Sequence, residues 1–302
     1  MSSQNNALKT AGEVALMTIF LFQVWVGTLA NVMVFFQNIS PILFGLRPRP
    51  IQVILTHLAV ANSLVLLSIG IPHMTVAFVL RKPLSSLGCK LVYYIHLVAR
   101  GTTLCSTCVL SSYRFLTLIP GRPDRLIFRG RTPKAMGPSC CTCWMFSALM
   151  NIYVAMRVTG PQGTHNGTDA EGKWFCSSLS IGVGTLFLQS GHDAIFIGLM
   201  VWASGSMVFL LQRHHQKVQH IHTTNHYHKC SPETRATHTI LMQVVTFVSF
   251  YILHSIYAFY IIAFVDSRLS VLHVTKIITS CFPSVSPLLL IFRNPRPFSF
   301  CS

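Results

Sequence analysis

Three strongly ionisable side chains, Arg100, Asp193 and Lys276, stand inside runs that otherwise read as membrane. A charge at the centre of a bilayer-spanning helix costs about 2.5–3.5 kcal/mol on insertion scales, so each is expected to face the bundle interior and meet a partner or a ligand. Asp193 is the one acid in such a run, which makes Arg100 with Asp193 the natural ion pair and leaves Lys276 as a positive centre. That arrangement would suit an anionic or acceptor-rich small molecule. For Arg100 itself, structural pairing and ligand contact are both open, since intramembrane charges serve both ends.

Polar neighbours cluster around these charges by helical spacing. His96 precedes Arg100 by four residues and shares its helix face, and His192 adjoins Asp193. Phe247, Tyr251, His254 and Tyr257 form a stripe that could line a mostly apolar pocket with a few polar tips. Interhelical packing competes for all of them, and is the better account of Phe247; for His254 and Tyr257 the two roles stand level, and His192 could equally be a hydrogen-bonded structural histidine. Cys105 and Cys108 have metal or redox spacing, and Cys140, Cys141 and Cys143 lie close together, but all fall in apolar runs where a thiol packs as a small hydrophobe. The histidines His214, His215, His220, His222, His226 and His228 belong to a basic segment, read as a solvated loop in preference to a metal site. No metal or cofactor is expected.

Seven segments of sufficient length must hold these groups, near 14–36, 51–75, 88–112, 134–157, 182–211, 237–265 and 270–292, each about the 20 residues that a bilayer core requires. The chain is 51% hydrophobic and 10% charged, against roughly 25% charge in an average soluble domain. It reads as an integral membrane protein. The net charge of +16 falls in short clusters between apolar runs and not on one basic face, so nucleic acid is not an expected partner. No cleavable signal peptide is evident, and the first run is expected to remain as a signal anchor.

Cytoplasmic loops are enriched in Lys and Arg. With the N-terminus outside, the inner side carries 14 such residues and the outer side 7. The expected fold is therefore an all-α membrane protein, a seven-transmembrane helix bundle with its N-terminus outside, forming a single domain over residues 1–302. In this orientation Asn166-Gly167-Thr168 is a glycosylation acceptor triplet in the second outer loop, and Cys89 and Cys176 share the oxidising side. The competing triplet at Asn38 would be cytoplasmic and is taken as chance. Arg100, eleven residues after Cys89, lies about 16 Å below the outer end, near mid-membrane.

This plan is that of a rhodopsin-like G-protein-coupled receptor, and particular stretches go further. HLAVANSLVLLSIGIP (57–72), GCKLVYYIHLVARGTTLCSTCVLSSYRFLTLIP (88–120), GLMVWASGSMVFLLQRHHQKVQHIH (198–222), SPETRATHTILMQVVTFVSFY (231–251) and CFPSVSPLLLIF (281–292) resemble the vomeronasal type 1 receptors. The resemblance implies a plasma-membrane chemosensory receptor for pheromone-like small molecules, including steroid derivatives such as sulfated steroids, signalling through a Gi/Go protein. It also implies a Cys89–Cys176 disulfide. Contacts with the G protein are inferred from the same likeness for Ser111, Ser112, Tyr113, Arg114, Arg122, Arg125 and Arg235. Those inner-loop cations satisfy topology and anionic lipid in any case.

Departures from the wider class are visible. Ser111-Ser112-Tyr113 replaces Asp-Arg-Tyr, with Arg114 one position late; Asn62 replaces an aspartate, so a sodium pocket built on that charge is not expected; Ser286-Pro287-Leu288-Leu289-Leu290 replaces Asn-Pro-x-x-Tyr. Other functions fare worse. A transporter or channel would show inverted repeats or more pathway charges, and a membrane hydrolase would need paired acids or a metal motif in a helix. A receptor resembling the bitter-taste type, or one that folds without signalling, remains an alternative.

Overall fold

The structure is a computed structural model that describes residues 2–74, 86–119, 137–152, 183–221, 232–263 and 269–293. These form α1 (Ser2–Leu43), α2 (Pro50–Met74), α3 (Ser86–Leu118), α4 (137–152), α5 (Val183–Ile221), α6 (Pro232–Ala263) and α7 (Leu269–Arg293), with no strand among the described residues. The helices are built from long-chain and β-branched apolar residues, and α1 ends where the chain needs a left-handed residue. Gly45 takes φ 72°, its N–H reaches Ile42 O at 3.1 Å, and Leu46 N–H reaches Pro41 O at 2.9 Å. The last carbonyls of α1 are satisfied by this glycine-terminated turn before α2 begins.

Among the described residues, five helices are long and apolar enough to cross a membrane: α1, α2, α5, α6 and α7. In α3 the length is ample, but Arg100, His96 and a succession of Ser and Thr lower its hydropathy; α4 is described over too few residues. The distribution of side chains is inverted relative to a soluble bundle. Asn31, Asn62, Gln243 and Asp193 are buried, whereas Phe22 is 71% exposed and Trp25 64%. Water would penalise that outer surface; lipid does not.

Helix α1 packs on α2 and α7, α2 on α3 and α7, α3 on α5 and α6, α5 on α6, and α6 on α7. One apolar cluster joins Ile54, Leu104, Leu110, Met200, Met207, Ile240, Val244, Phe247 and Phe282; a smaller one joins Phe20, Val24 and Leu66. Small residues set the closest approaches. A Cβ at Gly27 would overlap Ser284 and stand 2.9 Å from Leu66 Cδ1, and one at Gly101 would stand 2.9 Å from Ser147 Oγ. Glycine alone lets these helices meet at these points.

Where apolar packing cannot satisfy the interior, single polar bonds cross between helices. Pro287 has no N–H to give the carbonyl of Pro283, and Asn31 Nδ2 donates to that oxygen at 2.8 Å while also donating to Gly27 O at 2.8 Å. Thr103 Oγ1 donates to Asn62 Oδ1 at 3.1 Å, Gln243 Nε2 to Ser286 Oγ at 3.1 Å, and Trp144 Nε1 to His57 Nδ1 at 3.2 Å. Asn62 is thus occupied as a neutral acceptor between α2 and α3.

Two expectations are corrected here. Cys105 of α3 and Cys143 of α4 are joined as a disulfide, so these two are a covalent link and not packing residues; Cys108 and Cys140 are free and buried. The close α3–α4 approach beside Gly101 brings their Cα atoms to 5.7 Å, within bridging range. The histidine-rich segment begins as a continuation of α5 through Ile221, so His214, His215 and His220 sit on a helix and not in a loop. His222, His226 and His228 lie outside the described residues.

Candidate ligand site

Arg100 and Asp193 meet at mid-bundle. Arg100 Nη2 stands 2.9 Å from Asp193 Oδ2, joining α3 to α5. Tyr251 of α6 donates its hydroxyl to the same oxygen at 3.1 Å, and the Arg100 guanidinium lies 5.7 Å from the centre of the Tyr251 ring. His192 Nδ1 is 3.3 Å from the other carboxylate oxygen, Oδ1. Asp193 is consequently surrounded by three groups from three helices. Its side chain is 4% exposed, against 25% for Arg100. The carboxylate is saturated and enclosed, and the guanidinium, with five donors in a planar fork, retains an accessible edge.

Two histidines extend the polar layer. His96 Nδ1 lies 3.2 Å from Ser68 Oγ on α2, and His254 Nδ1 lies 3.0 Å from Thr279 Oγ1 on α7. The rings around them are aromatic or apolar. His192 stacks on Phe146 of α4 at 5.2 Å and tilts against Phe196 at 5.0 Å, while Phe247 meets Phe282 edge-on at 4.6 Å and stacks with Tyr251 at 6.3 Å. Phe247 is buried in the core, as packing predicts, and also borders the cavity below the ion pair.

That cavity has a volume of about 50 Å³ and is lined by Arg100, Asp193, Tyr251, His254, Thr279 and Phe282, together with Val65, Thr103 and Leu104. It holds room for a few waters. A pocket for a drug-sized molecule measures about 300–1,000 Å³, so this packing is closed to such a ligand.

The model of the vomeronasal organ pheromone receptor family matches residues 14–302 of the chain. The chain belongs to this family. Among its relatives, human vomeronasal type-1 receptor 4 is 38% identical over 286 residues, covering 93% of this chain and 95% of the relative. Human vomeronasal type-1 receptor 2 is 37% identical over 93% of this chain and 72% of its own. A zebrafish protein, olfactory receptor class A-like protein 1, is 29% identical over 92% and 88%. The relatives are receptors of a chemosensory family and not enzymes, which settles the class of function in favour of a membrane receptor.

For a receptor of the vomeronasal family, the structure distributes the sequence-derived candidates unevenly. Arg100, Asp193, His192 and Tyr251 come together; His96 and His254 flank them. Tyr257 and Lys276, both half-buried, do not line this cavity. Cys89 is buried in the first turn of α3 and is in disulfide linkage; Cys176 and Asn166 lie outside the described residues. Toward the C-terminal end of α3 Ser111 is fully buried and donates to Thr107 O at 2.9 Å, which removes it from an exposed contact surface, while Ser112, Tyr113 and Arg114 are half-buried. Arg235 occupies the first turn of α6, and Arg122 and Arg125 lie outside the described residues.

Several positions escaped the sequence reading. Ser68 and Thr279, the partners of the two histidines, have the composition of any helix hydroxyl. Thr103 was equally silent, Ser286 was singled out only as a departure in the seventh helix, and the Asn31–Pro283 bond went unread. Of these only Asn31 had a usable signal, an amide in an apolar run within a chain that also carries two prolines in α7.

Proposed function

We propose that this chain is a seven-helix receptor with its N-terminus outside, in the plasma membrane, that binds a small steroid-like molecule in the outer half of the bundle and activates a Gi/Go protein at its inner face. The observation that carries the reading is the asymmetry of the ion pair: three donors close around Asp193, while Arg100 keeps an exposed edge. The accessible end of a neutral pair is therefore cationic. A ligand bearing a carbonyl, hydroxyl or sulfate oxygen would take a hydrogen bond there, and the aromatic walls would accept an apolar ring system.

Because the pair ties α3, α5 and α6, a ligand that enters must displace their packing. The closed cavity of about 50 Å³ is then one state of a two-state bundle, and a ligand stabilises the other by binding it better. Cys89 pairs with Cys176, Asn166 carries a glycan, and Ser112, Tyr113, Arg114, Arg122, Arg125 and Arg235 face the G protein in this reading. Lys276 is a second cationic donor near the outer end of α7.

The test is a G-protein activation assay in cells, with surface expression verified, comparing sulfated and unsulfated steroids on wild type, Arg100→Ala, Lys276→Ala and the Arg100/Asp193 charge swap. Loss of response in the alanine variants at unchanged surface level, for sulfated ligands only, supports direct contact. Should Arg100→Ala fail to reach the surface and the swap restore it, the arginine serves only the fold. A wild-type receptor at the surface that answers none of the ligands and releases no G protein would favour the non-signalling alternative.

A further inference from the structure

A groove runs down the outside of the bundle between the inner halves of α3 and α5, with a volume of about 520 Å³. Phe115 of α3 and Ile119 just beyond its end form one wall, and Trp202 and Phe209 of α5 form the other. The Phe115 and Trp202 rings meet edge-on at 5.5 Å, which closes the upper end. Gly205 is the floor: a Cβ built there meets no atom within 4 Å. Trp202 and Phe209 are 64% and 63% exposed, so the groove is open along its length.

Trp202, Gly205, Phe209 and Arg213 follow one another at spacings of three, four and four, which keeps them on one face of α5. The face therefore runs from an aromatic ring, over a glycine, past a second ring, to an exposed cation about one turn beyond. That order matches an amphiphile with a flexible apolar tail and an anionic head. A long arginine side chain at a helix end reaches the interface while its stem stays on apolar surface. Anionic lipids concentrate on the cytoplasmic side, where the orientation proposed above puts the Arg213 end.

We propose that this groove is a phospholipid site, in which one acyl chain lies over Gly205 between Phe115, Trp202 and Phe209 and the anionic headgroup rests on Arg213. The site is separate from the Arg100–Asp193 cavity, and an annular lipid bound there would hold α3 and α5 together at the end that faces the G protein.

The test is native mass spectrometry of the full-length receptor in detergent, titrated with phosphatidylserine, phosphatidylcholine of the same acyl chains, or cholesterol. Wild type is expected to retain phosphatidylserine several-fold over phosphatidylcholine. Arg213→Gln should bring the two lipids level, and Gly205→Leu should reduce retention of both several-fold at unchanged helicity, since the added side chain enters open space. Arg47→Gln, an exposed cation at the start of α2's approach, should change nothing. Equal retention of the two lipids by wild type, no effect of Gly205→Leu, an equal loss in Arg47→Gln, or preferential retention of cholesterol would each overturn the proposal. So would a receptor dimer that Gly205→Leu dissociates without altering lipid retention. The readout is independent of leaflet, so an N-terminal tag found inside cells would sink the orientation and leave the lipid result standing.

Discussion

Asp193 is the residue on which the interior charge balance turns. Its carboxylate accepts from Arg100 and Tyr251 and lies beside His192 in a site where an unpartnered charge is strongly disfavoured. Asp193→Asn is expected to cost about 3–5 kcal/mol, the range for removing one partner of a buried pair. Tyr251→Phe keeps the ring beneath Arg100 and loses one bond, for about 1–3 kcal/mol. Thermal unfolding of detergent-purified protein would rank the two, and a smaller loss for Asp193→Asn than for Tyr251→Phe would contradict the assignment of the pair as the dominant tie. The pair itself was legible in sequence because charge is scarce in the apolar runs and Asp193 is the one acid there. The third partner was not: Tyr251 looked like any aromatic in a helix stripe, and its hydroxyl found Asp193 through the packing of α6 on α5, which no spacing within α6 encodes.

At the scale of elements, two amides of α1 reach α7: Gln23, which donates to Ile277 O and Cys281 Sγ, and Asn31, which replaces a missing helix bond. Asn31 supplies the hydrogen bond that Pro287 cannot give to the Pro283 carbonyl, and Gly27 one turn away allows the backbones to approach. Asn31→Leu should leave that buried carbonyl without a donor and cost about 1–3 kcal/mol. Gly27→Val should cost at least as much by driving side-chain atoms into Ser284 and Leu66, since overpacking costs about 1–3 kcal/mol. Protease susceptibility or melting of the single and double variants would check this; additive losses would show that the two contacts act separately, which the shared α1–α7 seam argues against. Hydropathy placed both ends of α2 and α7 and the starts of α3 and α5 to within two residues. Helix extensions beyond the apolar part were not readable, because α5 past Arg213 is basic and helical for reasons that hydropathy does not register. The Cys105–Cys143 link was hidden for a related cause. Thirty-eight residues apart in apolar sequence, the two thiols resemble packing atoms until α3 and α4 are brought together.

At the scale of the molecule, the described residues present an apolar outside with hydroxyls and amides within. If the N-terminus is outside, Asn166 acquires a glycan in a eukaryotic membrane, and Asn38 does not. Digestion with an endoglycosidase should therefore shift the wild-type band and leave Asn166→Gln unshifted; a glycan on Asn38 would reverse the orientation. The all-helical, membrane-type architecture was the most legible part of the chain, since it follows from counting apolar runs. The least legible was the cavity beside the ion pair. Its walls come from α2, α3, α5, α6 and α7 at once, and its size depends on how tightly those helices close.

The ion pair also has a consequence for synthesis. Arg100 and Asp193 are 93 residues apart. A ribosome adds roughly 5–20 residues per second, so α3 is made roughly 5–20 s before its acid partner exists. Throughout that interval a cation that costs about 2.5–3.5 kcal/mol at the bilayer centre has no carboxylate to meet. Every chain in the seven-helix arrangement therefore passes through a stage with α3 unsatisfied, and the arrival of α5 is the event that ends it. A truncated chain stopping short of α5 never leaves that stage, whatever the quality of its remaining helices.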